Sequence, residues 1–363
     1  MGKPLRFVSL PNLHRLLEGL AIDVPRCAEV LDHMLCGFDR MPGGIPSRIV
    51  AWNAKSPDRR GHLSFPCKGC IIAQVTQTVD DRGRVMHMSK LLTDSREPEA
   101  APAVFVETHS PSLDVPMRTE IPMRAVLKGG PRLDGTYTVY LHALCCENGA
   151  DFVYYGITRR GWNARFAEHA IAAIREESRR LFPSKLRELI GNRLGQLEGL
   201  PRNGSALSGI VTTICAVGLS EDAALDAEEY LVDKYSLSGK HANGLNMIPG
   251  GREGIRCLAT LYPGTRAGAV DTEDREAALD GYLRDHPALG RPNPGVAAAW
   301  DDPAYCEAVV CGRENRLSAA QVRKIRFLAA LGSGVDEIRA QVGALDAGQV
   351  SRVLQGRTYS RIR

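Results

Sequence analysis

The chain has no run of about 18 apolar residues, the length a helix needs to span a bilayer, so no membrane partner is expected. Its amino terminus, MGKPLRFVSLPNLHRLLEG, lacks the roughly 7–15-residue apolar core of a secretion signal, and a cytoplasmic location is the expectation. Strong net charge is missing too, at +4 over 363 residues. The ten cysteines are too scattered over a long chain for a small disulfide framework and are read as reduced thiols. With 44% hydrophobic and 24% charged residues, the composition is that of a globular protein long enough for two or three domains.

Charge is uneven where the total is not. Residues 313–363 hold nine Arg and one Lys against Glu314, Asp336, Glu337 and Asp346, a net +6, which leaves the rest near −2. Such a basic tail suits a polyanionic partner.

Along the chain the expected fold class is α+β. A separate N-terminal α+β region, 1–130, begins with amphipathic helices between Asn12 and Leu35, broken at Asp23-Val24-Pro25. It continues with the turn-rich stretch Met41–Pro46, a hairpin from Ile71 to beyond Val85 and a strand at Ala103–Glu107. Residues 131–255 read β-β-α-α-β-α, a small central mixed sheet flanked by helices. Thr136–Leu144 and Asp151–Gly156 are its first strands, joined by Glu147-Asn148-Gly149-Ala150. Helices near Trp162–Arg180 and Ser184–Leu197 follow, then a strand at Gly209–Val217 and a helix at Glu221–Tyr235. Residues 256–312 form a linker with short helices, one at Thr272–Asp285. Residues 313–363 form three helices. Ser318–Gln321 is a capping box, and Val322, Ile325 and Leu328 follow as an apolar stripe. Val335, Ile338 and Val342 mark the second helix, which Gly343 ends, and Asp346 caps the third. This is a helix-turn-helix outline.

Five pieces stand in order in the middle module: Val139-Tyr140-Leu141, Tyr154-Tyr-Gly-Ile-Thr158, Arg165-Phe-Ala-Glu-His169, Glu228-Glu-Tyr-Leu-Val232 and Gly244-Leu-Asn246-Met247. Together they resemble the GIY-YIG nuclease family over residues 135–252. The resemblance implies a metal-dependent endonuclease acting on double-stranded DNA, with Tyr140, Tyr154, Arg165, His169, Glu228 and Asn246 as site residues. Glu228 would be the ligand for Mg²⁺ or Mn²⁺. The chemistry is consistent with the residue types. Phosphodiester hydrolysis needs an oriented water, charge neutralisation on phosphoryl oxygens and a stabilised leaving group. Arg165 and His169, four apart on a helix, project from one face, and a carboxylate suits a hard cation. A nearby cation is expected to pull the tyrosine pKa down from about 10.

Two details stay open in the sequence. Gly135-Thr-Tyr137 matches the family letters better than Thr138-Val-Tyr140, although Tyr140 has the better spacing. A two-residue turn at Asn148-Gly149 would pair Tyr140 with Ile157 and put Tyr155, rather than Tyr154, on the face of Tyr140; an odd loop or a bulge would reverse that.

The C-terminal stretch resembles helix-turn-helix modules appended to homing and phage endonucleases. Its last helix would offer Gln349, Ser351, Arg352 and Gln355 to bases, and Arg357, Arg361 and Arg363 to phosphates. Cys67 and Cys70, with Cys27 and Cys36 or His62, are weak candidates for zinc; packed thiols near a turn fit better. The competing functions are a non-catalytic DNA-binding regulator with a degenerate nuclease fold, and a restriction-type enzyme whose first 130 residues read sequence.

Overall fold

The computed structural model describes residues 4–41, 43–55, 71–80, 83–92, 102–110, 113–175, 178–197, 206–261, 271–285, 302–311, 316–359 and 362. The chain divides into two compact units, Met1–Arg291 and Pro292–Arg363.

In the first unit, α1 (Leu10–Leu17) and α2 (Val24–Asp39) meet at the expected break. There Asp23 caps α2 by accepting a hydrogen bond from Arg26 N, and Pro25 occupies the first turn, where its missing N–H costs nothing. Helix α3 (Ile45–Lys55) follows. Strands β1 (Ile71–Asp80) and β2 (Gly83–Leu92) pair as the expected hairpin, Asp80 opposite Gly83. Then come β3 (Ala103–Ser110), β4 (Val115–Pro122) and the short α4 (Met123–Val126). Val115, Met117, Thr119 and Ile121 alternate inward along β4, a pattern that the prolines at 116 and 122 hide in the sequence.

Strands β5 (Tyr137–Cys146) and β6 (Phe152–Thr158) precede α5 (Trp162–Ile174) and α6 (Leu181–Leu197). The long β7 (Leu207–Leu219) leads into α7 (Glu221–Leu231), a wider-wound turn at Val232–Ser236, α8 (Gly251–Leu261) and α9 (Arg275–Asp285).

All seven strands form one mixed sheet in the order β2-β1-β3-β4-β7-β5-β6. This differs from the expectation of a separate N-terminal α+β region beside a small central sheet. The physical reason is the parallel pairing of β4 with β7 from Met117↔Ile210 to Glu120↔Thr213, which satisfies the backbone edge that β7 would otherwise expose. Thr213 Oγ1 also donates to Glu120 Oε2 at 2.9 Å across that seam.

The N-terminal helices pack on the sheet in a core that includes Leu13, Leu31, Leu35 and Phe38 and reaches Tyr140 and Trp162. Trp162 opens α5, and its Nε1 donates to Leu16 O at 2.7 Å, so α1 and α5 are fastened together. Leu144 and Cys146 of β5 share a second cluster with Phe166, Phe182 and Leu186 of α5 and α6, whereas Tyr137 and Val139 pack on Ala224 and Leu225 of α7.

The second unit holds α10 (Pro303–Cys311), α11 (Ala319–Ala330), α12 (Val335–Val342) and α13 (Ala347–Leu354). The capping box at Ser318 and Gln321 is present, Gly343 ends α12 in the left-handed conformation at φ 68°, and Asp346 caps α13. Val322, Ile325, Ile338, Val342, Val350 and Val353 form its buried core. Among the described residues no helix is long and apolar enough to cross a membrane.

Candidate active site

The strand register decides which tyrosines meet. Tyr140 lies opposite Gly156 and His142 opposite Tyr154, with Leu144↔Phe152 as the last pair. Seven residues, 145–151, therefore separate the paired positions, an odd number that puts Tyr140 and Tyr154 on one face. Tyr137 is buried on the other face against α7. Glycine is required at 156 because a Cβ there would lie 2.6 Å from the Tyr140 hydroxyl oxygen. The Tyr-Tyr-Gly spacing thus serves a close approach of one tyrosine to the neighbouring strand.

A cavity of about 60 Å³ is lined by Tyr140, Tyr154, Arg165, Glu228 and Asn246, five of the six residues singled out in this module. The sixth, His169, lies one turn beyond Arg165 on α5; its ring is fully buried and stands edge-on to Tyr154 with centroids 5.1 Å apart. Asn246 is wholly engaged: its Nδ2 donates to Tyr155 O at 2.8 Å, while its Oδ1 accepts from Tyr155 N at 3.0 Å and from Ser236 Oγ at 2.6 Å. It clamps β6 to the turn after α7.

Three charged residues that the sequence did not single out complete the cleft: Arg180, just before α6, and Arg275 and Glu276 on α9. Glu276 Oε2 lies 2.8 Å from Arg180 Nη1 and 3.2 Å from Arg165 Nη2. Its Oε1 accepts a hydrogen bond from the Tyr154 hydroxyl and stands 3.5 Å from His169 Nε2. Arg275 Nη2 donates to Glu228 Oε2 at 2.7 Å, and Gly251 N donates to the same oxygen at 2.8 Å. Gly251, at φ 58°, has no room for a side chain, since a Cβ would sit 2.2 Å from Leu225 O; it is what brings the 249–251 turn onto α7. Residues 275 and 276 belong to the stretch expected to be linker with a short helix, and its density of charge makes that helix look solvated in the sequence.

The electrostatics correct one expectation. Burial raises the Tyr140 hydroxyl pKa well above 10, and the opposing influence of Arg165 does not cancel it. Burial and then Glu276 push Tyr154 upward as well. Desolvation outweighs the cation, so both tyrosines are neutral hydrogen-bonding groups rather than ready bases. His169 is neutral as well: burial, with Arg180 and Arg165 acting in the same direction, lowers its pKa to about 4 despite Glu276. Arg180 Nη1 is 3.4 Å from His169 Nδ1, and an arginine can only donate, so the imidazole proton belongs on Nε2, facing Glu276. Burial opposes ionisation of Glu276, but His169, Arg180 and Arg165 outweigh it and hold the carboxyl well below the ordinary range. Arg165 and Arg180 are the cations that face the carboxylate.

Glu228 is already engaged in this arrangement. Its Oε2 is taken by a guanidinium and a backbone N–H, and among the described residues no group of three or more His, Cys, Asp and Glu gathers around one point. Cys67, Cys70 and His62 lie outside the described residues. Cys27 is packed in the core, and burial, followed by Asp23, raises its thiol pKa to about 12, so it is a packing thiol.

Arg352 on α13, and Gln355 and Arg357 just beyond its end, are exposed. Gln349 Oε1 accepts from Leu345 N at 3.0 Å, and Ser351 Oγ donates to Ala347 O at 3.0 Å, so both expected base readers have partners within the unit. Arg361 and Arg363 lie outside the described residues.

Compared with protein-family models, curated proteins and solved structures, the chain finds no match among any of the three.

Proposed function

We propose that the cleft between β5, β6, α5 and α7 is the site of a phosphodiester hydrolase of the GIY-YIG type acting on double-stranded DNA. The observation that carries this is the convergence of Arg165, Arg180, His169 and Tyr154 on one carboxylate in the cleft. Two guanidiniums at 2.8 and 3.2 Å, with a hydroxyl beside them, suit a tetrahedral phosphate, and arginine forks bind carboxylate and phosphate alike.

In this reading Arg165 and Arg180 neutralise the non-bridging oxygens. Tyr140 and Tyr154, both protonated, orient the attacking water. His169, neutral at physiological pH, accepts from Arg180 at Nδ1 and so positions that guanidinium, and it offers its Nε2 proton to the phosphate. Asn246 is a positioning residue that fixes β6. A Mg²⁺ or Mn²⁺ ion on Glu228 belongs to the reading, and it requires Arg275 to leave. The basic second unit, with Arg352, Gln355 and Arg357 outward, is proposed as a helix-turn-helix tether to the duplex.

Nicking of supercoiled plasmid by the full chain with Mg²⁺ or Mn²⁺ tests this. Losing one preorganised charge-stabilising donor costs on the order of 100-fold in rate, so Arg165→Ala is expected to slow nicking by about that factor. Wild type and Arg165→Ala nicking equally, or not at all, would remove the enzyme reading. Specific duplex binding without nicking would favour the non-catalytic regulator.

A further inference from the structure

The charged groups that ought to meet substrate and metal are already partnered, and one helix partners each of them, although Arg165 also pairs with Glu168 on its own helix at 2.8 Å. Glu276 takes the two arginines, the histidine and the tyrosine; its neighbour Arg275 takes Glu228. The match extends along the segment. Asp271 is 3.3 Å from Arg159, and the buried Glu273 accepts from Thr158 Oγ1, Arg159 N and Arg160 Nε at 2.6–3.1 Å. Asp280, one turn beyond Glu276, accepts from Arg180 Nε at 2.8 Å and Ser178 Oγ at 2.6 Å. Four carboxylates spaced along 271–280 thus face Arg159, Arg160, Arg165 and Arg180, as a run of backbone phosphates would. By contrast, the apolar hold of α9 is small: Leu279 and Leu283 pack on Leu258, with Met247 and Ile248 at the margin.

We infer that the 271–285 segment is an intramolecular mimic of nucleic acid, its Glu276 carboxylate standing where a substrate phosphate binds and its Arg275 guanidinium where a divalent cation would balance Glu228. The segment therefore autoinhibits the cleft, and substrate and ion enter by displacing it. This rests on the hydrolase reading for the identity of the ligands, whereas occlusion of an anion site and a cation site does not depend on cleavage. An occluding segment that leaves the site open about 1–10% of the time weakens apparent affinity roughly 10–100-fold.

Calorimetric titration of the full chain with inorganic phosphate, and separately with Mn²⁺, compares wild type with Arg275→Gln/Glu276→Gln. Glutamine keeps helix propensity and near-isosteric shape while removing both charges. The expected result is phosphate and Mn²⁺ binding at least about tenfold tighter in the variant, with Glu228→Ala abolishing the added Mn²⁺ site. Binding unchanged or weaker in a variant that melts like wild type would overturn the inference. Hydrogen exchange of wild type supplies the second measurement, independent of any variant. Phosphate together with Mn²⁺ is expected to release protection in 275–285 while α5 stays protected; unchanged α9 protection with both ligands bound would overturn it equally. Tighter binding in the variant without nicking would retain autoinhibition of an ion-binding cleft and defeat only the hydrolase reading. A variant that binds no better yet loses a wild-type nicking activity would instead make Glu276 part of the catalytic apparatus.

Discussion

At His169, the imidazole is buried against Tyr154 and Phe182, with Arg165, Arg180 and Glu276 the charged groups that face it. Its pKa of about 4 in the folded state lies below the ordinary 6.5. The unfolded chain therefore binds a proton that the folded one does not between those values. The sign follows: this contribution is whole above pH 6.5 and is lost as pH falls toward 4, on the order of 2–3 kcal/mol. Urea midpoints measured from pH 7 to pH 4 should drop steeply in wild type and less steeply in His169→Gln; parallel slopes would show that the imidazole is not held neutral. Asn246→Ala removes three hydrogen bonds and strands both backbone groups of Tyr155, so a loss of about 2–3 kcal/mol is expected in the same assay. The residues themselves were legible through the family resemblance, which names Tyr140, Tyr154, Arg165, Glu228 and Asn246, and these five line one cavity. What spacing could not supply was their solvation. The sequence suggests cations acting on tyrosines, and burial reverses that sign. Arg180 and Glu276 were missed because each is an ordinary surface residue until the chain folds α9 over the cleft.

Elements were legible where local chemistry is strong. The break at Asp23-Val24-Pro25, the capping box at Ser318 and the stop at Gly343 mark helix ends that the structure has. The β5–β6 register was not, because the Asn148-Gly149 signal favours a two-residue turn, whereas seven residues, 145–151, lie between the first paired positions. Likewise α9 was anticipated as a helix but not as a wall of the site, since its partners are 47 to 122 residues away. The joint between α1 and α5 also spans a long separation. Trp162→Ala should cost about 3–5 kcal/mol through lost packing, and Trp162→Phe nearer 1 kcal/mol for the bond to Leu16 O. Chemical denaturation of the two variants checks this. Equal losses would mean that the indole contributes only its hydrogen bond.

At the scale of the whole molecule, the sheet makes residues 1–130 part of the fold that carries the cleft. A fragment of residues 131–255 would leave β7 with an unpaired edge where β4 belongs and should be insoluble or molten, while 292–363, with its own buried core, should melt cooperatively alone. Circular dichroism on the two fragments reports both outcomes, and a well-folded 131–255 would contradict the account of the sheet. The central claim, a DNA-hydrolysing cleft held shut by its own α9, is tested most directly by single-turnover nicking of supercoiled plasmid with Mn²⁺. The comparison is between wild type, Arg275→Gln/Glu276→Gln and that double variant with Arg165→Ala added. The predicted result is nicking at least about tenfold faster in the double variant than in wild type, and a fall of about 100-fold when Arg165 is removed. No nicking by any of the three, or nicking indifferent to Arg165, would contradict it.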